Sequence, residues 1–165
     1  VLHDALEPAR IADVRVEGGR IAEIGRGLVA PAGVLEIDGD GLHLAPGVVD
    51  AHSHMAISGG VNEGTVSISA EVDMADVIDP KDRSLYGALA GGCTTIHVMH
   101  GSANAIGGQS GLIKLRFDST EDRLAFRDAP KGIKFALGEN PKRSNWGSGG
   151  DRFPASRLGV EALYH

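Results

Sequence analysis

A strand, a capped helix and a second strand, in that order, constrain what this chain can fold into more than any other feature. Gly47-Val48-Val49-Asp50-Ala51-His52-Ser53-His54 follows Pro46, begins apolar and has no helical period, so it reads as a buried strand. A Gly-rich loop runs from about Ser58 to Thr65. Asp79-Pro80-Lys81-Asp82 then carries helix-start chemistry: Asp79 as N-cap, Pro80 at the first helical position, and an acid in the first turn. Leu85 and Leu89 lie four apart on one face, and Gly91-Gly92 supplies a C-terminal stop. The β-branched run Cys93-Thr94-Thr95-Ile96-His97-Val98-Met99 follows directly. Two strands joined through a helix make a βαβ unit, and that unit needs a parallel sheet.

The flanking stretches extend this reading. In residues 1–46, Asp13-Val14-Arg15-Val16-Glu17 alternates apolar with polar, the period of a half-buried strand. Gly18-Gly19 fits a two-residue hairpin turn, and Arg20 to Ile24 supplies the returning strand. Val34 to Asp38, the turn Gly39-Asp40-Gly41 and Leu42 to Leu44 predict a second β stretch, so this part is a small β module. Beyond Met99 the alternation continues. Ser119 and Asp122 form a capping-box-like start to a short helix ending near Asp128-Ala129-Pro130. Lys131 to Leu137 is the next strand, and Pro154-Ala155-Ser156-Arg157 opens a helix with Leu158 and Ala162 on one face. That helix has no stop signal before His165, so the expected alternation is unfinished.

Composition excludes several function classes. With 165 residues, 42% of them hydrophobic, the chain can bury a real core. No apolar run approaches the roughly 20 residues of a transmembrane helix, which argues against a membrane role. No charged segment followed by an apolar one marks a signal peptide; the chain begins at Val1 rather than Met, and a cytoplasmic setting is the expectation. A net charge of −6 without a Lys/Arg cluster argues against nucleic acid as a partner. The single cysteine, Cys93, excludes an internal disulfide and a cysteine-based zinc knuckle. It leads a strand and reads as a small buried residue rather than a nucleophile. A transition metal in this chain must rely on histidine and carboxylate.

Asp50-Ala51-His52-Ser53-His54 is the strongest chemical feature. In a regular strand, side chains at i, i+2 and i+4 share one face, so two imidazoles can converge on one cation while Asp50 is placed to orient an imidazole or the loop behind it. A histidine-x-histidine pattern also arises by chance near surface turns, and its setting here, a Pro-Gly entry into an apolar strand, favours the ligand reading. His97 and His100 are an odd number apart and face opposite sides of a strand. His97 could line the interior. His100 reads either as a substrate contact beside Gly101-Ser102-Ala103-Asn104 or as a packed, hydrogen-bonded histidine. Gly101 to Gly111 lacks the Gly-Lys-Ser/Thr ending of a phosphate-binding loop and opens no helix, so it reads as an active-site loop.

Ala45-Pro46-Gly47-Val48-Val49-Asp50-Ala51-His52-Ser53-His54 resembles the first barrel strand of the amidohydrolase superfamily. Ala12 to Gly25 resembles the β-sandwich hairpin that precedes it in those enzymes. Gly101 to Gln109 and Lys134-Phe135-Ala136-Leu137-Gly138-Glu139-Asn140-Pro141-Lys142-Arg143 are similar to a branch related to imidazolonepropionases. The resemblance implies an α/β fold: a (β/α)₈ TIM barrel, incomplete here and occupying 47–165, preceded by part of a small β-sandwich over 1–46. It implies one or two divalent metal ions, zinc foremost, at the C-terminal ends of the strands. His52 and His54 match the first ligand pair. Lys134 matches the bridging position, which requires a carboxylated lysine, and Glu139 is the alternative carboxylate. His100, Asn104 and Gln109 are candidate substrate contacts. The implied activity is hydrolysis of C–N bonds in amides or cyclic amides of a small-molecule substrate, with Asp50 and Lys134 as catalytic candidates. The remaining family ligands are expected beyond His165. The competing expectation is an inactive piece, stable only with the rest of a barrel or self-associated as a homo-oligomer.

Overall fold

Gly18 and Gly19 both take positive φ, 55° and 75°, the backbone that a two-residue type I′ turn requires and that glycine adopts without steric cost. They join β1 (Asp13–Glu17) to an antiparallel β2 (Arg20–Gly25), with Glu17 opposite Arg20. The computed structural model describes residues 1–116, 121–145 and 151–165, and the chain divides into two units, Val1–Pro46 and Gly47–His165. In the first unit, β1–β2 is the one strand ladder among the described residues. Residues 34–38 are not a strand, contrary to the sequence expectation. They find no neighbouring strand to pair with, and Ile37 is 78% exposed. Gly39 and Leu42 close a turn, and Leu44 makes only a single bridge to Leu2.

The second unit is built on a four-stranded sheet of order β3-β4-β5-β6. β3 (Val48–Ser53) runs parallel to β4 (Cys93–Val98), with α1 (Ser84–Ala90) between them in sequence, so the βαβ unit forms as expected. The helix starts later than its sequence suggested. Asp79 closes a separate turn, accepting from the Lys81 amide at 2.9 Å, while Asp82 accepts from the Ser84 amide at 2.8 Å and from the Ala56 amide at 2.8 Å. The carboxylate nearest the helix entrance is thus Asp82, and it also pins the chain leaving β3. At the other end Gly91 and Gly92 donate to the carbonyls of Gly87 and Leu89, as the stop signal requires.

Leu85 and Leu89 do face inward. Leu85, Ile96 and Val98 form the core with Ile113, Leu115, Leu124, Ala56 and Met74, and Leu89 and the half-buried Cys93 pack against it. Met74 enters on a 3₁₀ turn, Met74–Val77, whose N-cap Asp73 accepts from the Ala75 amide. Burying one such leucine contributes about 1.5–3 kcal/mol. β3 itself is less buried than its apolar start suggested: Val49 is 59% exposed, because β3 is an edge strand paired only with β4.

Gly101 to Gly111 contains the largest departure from the sequence reading. Ile106–Lys114 is not an active-site loop but β5, a nine-residue strand antiparallel to both β4 and β6 (Gly132–Phe135). Its glycines are required by close packing. A Cβ on Gly107 would lie 2.7 Å from Nδ1 of His100, and one on Gly108 would lie 2.8 Å from the Val72 carbonyl oxygen. Because β5 reverses direction twice over, β3, β4 and β6 all run the same way and end at the same edge of the sheet.

α2 (Glu121–Leu124) is shorter than expected, and Ser119 lies outside the described residues. α3 (Arg157–Ala162) is capped by Ser156, which accepts from the Gly159 amide. Its inward face is Gly159 and Val160, whereas Leu158 is 83% exposed. The spacing of Leu158 and Ala162 was correct but the face was not. Past α3, the Tyr164 hydroxyl lies 2.8 Å and 2.7 Å from the carbonyls of Ala105 and Ala136, a donor set between β5 and β6. Gly108→Ala should lower the unfolding free energy of this unit by about 1–3 kcal/mol through overpacking, read as a fall in the urea midpoint at unchanged m-value. A midpoint equal to that of the parent would contradict the packing described.

Candidate metal centre

Alternation along the strands sorts the sheet into two faces. Ile96 and Val98 of β4 point into the core, so His97 between them points the other way. Its Nε2 lies 2.7 Å from the Ser110 hydroxyl on β5. Ser110 pairs with Gly132 on β6, so Lys134, two residues on, shares that face. Gly132 has no Cβ because one would stand 2.9 Å from the Ser110 hydroxyl and 3.9 Å from the His97 ring.

β3 does not keep the strict alternation expected for Asp50, His52 and His54. Asp50 stands opposite Ile96 and Ser53 opposite Val98, so β3 takes three steps where β4 takes two. An extra residue of this kind re-aims side chains at strand ends. The Asp50 carboxylate accepts from the His52 amide at 3.1 Å and holds this kink. His52 and His54 then turn their Nε2 atoms to within 3.3 Å of each other, with the rings edge to face. Lys134 Nζ reaches 3.3 Å from His52 Nε2. Four adjacent strands span about 14 Å; β3 and β6 are the outermost, and their side chains meet over the same curled face.

The hydrogen bonds assign the protons. His54 Nδ1 lies 2.9 Å from the Met99 carbonyl oxygen, which can only accept. Nδ1 therefore carries the hydrogen and Nε2 presents a lone pair. Nε2 of His52 lies 3.3 Å from Lys134 Nζ and 3.3 Å from His54 Nε2, and which of these contacts it makes depends on its tautomer. With His52 in the matching Nδ1–H tautomer, the two Nε2 atoms 3.3 Å apart would offer two lone pairs to one cation. The lysine beside His52 lowers its pKa, with burial and His54 adding to the effect and Asp50 opposing it. The pair thus fits two ligands of a divalent ion, with the carbonyl-locked tautomer that metal-binding histidines use. An unmodified ammonium does not fit as a third ligand; a carboxylated Lys134 would present oxygens in its place.

Among the described residues, no three His, Cys, Asp or Glu side chains stand together as a metal-binding group. Glu139 is therefore not brought to the histidine pair. Its carboxylate pairs with Lys142 in a local turn, and its carbonyl accepts from Asn145 at 2.7 Å. Each of the three candidate substrate contacts makes hydrogen bonds within the chain, and the buried Asn104 Oδ1 has no hydrogen-bond partner among the described residues. His100 is 1% exposed; its Nε2 accepts from the Glu63 amide at 2.8 Å and its Nδ1 donates to the Gly101 carbonyl at 3.0 Å. Asn104 is buried and donates to the carbonyls of Glu63 and Val66. Gln109 donates to the Ala70 carbonyl at 3.2 Å. Ser110 and the Met99 carbonyl were not singled out from sequence. The apolar run Leu112-Ile113 after Ser110 was the available signal for a strand there.

His52 in the folded chain takes up its proton at lower pH than an unfolded histidine. As pH falls through the window below 6.5, the unfolded state binds the proton first and this group subtracts from stability. Lys134→Met removes the largest cause, so the His52 pKa should rise towards its ordinary value in a ring-resonance NMR titration. An unchanged or lower value would contradict the contact.

No family model matches the chain. An amidohydrolase from Hapsidospora irregularis is 33% identical over 169 residues, covering 90% of this chain and 17% of that protein. A dihydroorotase from Bacillus licheniformis is 38% identical over 87 residues, covering 53% and 17%. Shorter matches include an allantoinase from Salmonella choleraesuis, covering 31% of this chain and 11% of that enzyme. A solved amidohydrolase from Thermotoga maritima superposes with a TM-score of 0.74 at 30% identity, covering 92% of this chain and 40% of that one. The chain thus spans 17% of the first two curated relatives. Its homologues are amidohydrolases, dihydroorotases and allantoinases, and its mixed α/β fold is that of part of an amidohydrolase.

Proposed function

We propose that this chain carries the first section of a metal-dependent hydrolase that opens C–N bonds in cyclic amides. The observation that carries the reading is the approach of the His52 and His54 Nε2 atoms to 3.3 Å, with His54 Nδ1 on the Met99 carbonyl, at the shared C-terminal edge of β3, β4 and β6. Barrel and open α/β enzymes place their chemistry at that edge. Dihydroorotases and allantoinases among the relatives point to the cyclic amide as substrate class. A metal ion held by these histidines supplies a water whose pKa is lowered towards roughly 7 and polarisation of the scissile carbonyl.

The residues of this chain have separate tasks in that reading. His52 and His54 hold the ion, Met99 fixes the His54 tautomer, and Asp50 fixes the backbone that aims His52. A carboxylated Lys134, formed when its neutral Nζ attacks carbon dioxide so that an N–C bond forms, a C=O π bond breaks and a proton is released, would offer carboxylate oxygens to the metal. In this reading the remaining ligands and the rest of a (β/α)₈ barrel come from sequence of the kind the longer relatives carry. The 1–46 unit then belongs to a β-sandwich in front of the barrel. Zinc as the ion, a cytoplasmic setting, a small-molecule substrate and kinship with the imidazolonepropionase-related branch complete the proposal.

The test is hydrolysis of a panel of cyclic amides (dihydroorotate, allantoin, hydantoin) by the native polypeptide with zinc. Turnover should stop on chelation and return on adding the metal. His52→Asn and His54→Asn should each cost more than the roughly 10–100-fold expected for outer-shell changes. Turnover that survives chelation, or that survives both substitutions, would overturn the assignment.

A further inference from the structure

Arg152, which the sequence did not single out, lies in the segment after β6 and is engaged by backbone on three sides. Its Nη1 donates to the carbonyls of Gly64 at 2.6 Å and Val66 at 3.5 Å, and its Nη2 donates to those of Ala103 at 2.7 Å and Pro141 at 3.0 Å. These acceptors belong to the three loops that leave the C-terminal ends of β3, β4 and β6. Burial of the guanidinium lowers its pKa, as expected for a charge taken out of water. Spanning four carbonyls at these positions uses the fixed planar fork of arginine, which the point charge of a lysine cannot reproduce.

The bracing continues to the metal-binding face. The Gly101 amide donates to the Val61 carbonyl at 2.6 Å, and the Ala103 amide donates to Asn62 Oδ1 at 3.1 Å. Asn104 ties the same stretch to Glu63 and Val66 from beneath. The 99–105 loop is thereby clamped against 61–66, and the first residue of that loop is Met99, whose carbonyl sets the His54 proton.

We propose that Arg152 is a positioning residue for His54: by holding the three loops together it places the Met99 carbonyl and so keeps the His54 Nε2 lone pair turned towards His52. This inference rests on the reading of His52 and His54 as a ligand pair. The Met99 amide is tied to β3 through the Ser53 carbonyl at 3.0 Å, so loss of the clamp acts on the Met99 carbonyl from its C-terminal side and lets His54 relax to the Nε2–H tautomer, in which it cannot bind a cation through that nitrogen.

The experiment is ¹⁵N NMR of the histidine rings at a pH above their titration, so that tautomer rather than charge is read, on the metal-free chain. The parent should show His54 in the Nδ1–H form. Arg152→Met and Arg152→Lys should lower the ratio of the two tautomers at least tenfold, while the amide exchange of Ile96 in the core stays unchanged. In Arg152→Ala, millimolar guanidinium should restore the Nδ1–H form saturably. A parent already in the Nε2–H form would sink the ligand-pair reading. A parent in the Nδ1–H form that persists in Arg152→Met, or a change that comes with faster exchange at Ile96, would overturn the role of Arg152. So would a failure of guanidinium to restore the tautomer.

Discussion

Parallel strands cannot be joined by a tight turn, and the crossover through α1 that joins β3 to β4 brings the carboxyl ends of both strands to one edge of the sheet. The site depends on that pairing. It sets Met99, just past β4, beside His54, just past β3, so that a main-chain oxygen following one strand meets Nδ1 of the imidazole following the other. β6 joins the same edge because β5 runs back between it and β4, and Lys134 then meets His52 from the far side of the sheet. Core and site share the same strands: Ile96 and Val98 bury one face of β4 while His97 lies on the other.

The electrostatics of the face follow from crowding positive or proton-seeking groups together. A lysine, two facing imidazoles and His97 all lie close enough for His52 to hold its proton less tightly than usual, and Asp50 offsets only part of this. The arrangement suits an incoming cation that takes both lone pairs. It does not suit the lysine as an ammonium, which is why carboxylation of Lys134 belongs to the functional reading.

Much of the fold was legible because the relevant signals are local. Alternation and Gly18-Gly19 announce the hairpin, and Leu85, Leu89 and Gly91-Gly92 announce α1 and its end. β5 was hidden because glycine lowers strand propensity, and Gly107 and Gly108 are there to admit the His100 ring and the Val72 carbonyl, which are distant in sequence. The face of α3 was misread because Leu158 and Ala162 have a helical spacing, while the small Gly159 packs closest, against Pro154 and Phe153. The His52–His54 pair was visible as a pattern, but the bulge that aims it depends on pairing with β4. Arg152 gave no local signal, since its partners are main-chain oxygens that any sequence supplies.

The central claim is that His52 and His54 share one ion through their Nε2 atoms. Zinc-edge X-ray absorption on the chain loaded with one equivalent of Zn²⁺ tests it most directly. The account predicts two imidazole nitrogens at roughly 2.0–2.1 Å, both lost when the two histidines are replaced by asparagine. A first shell without imidazole, or one that keeps both imidazoles after that double replacement, would contradict it.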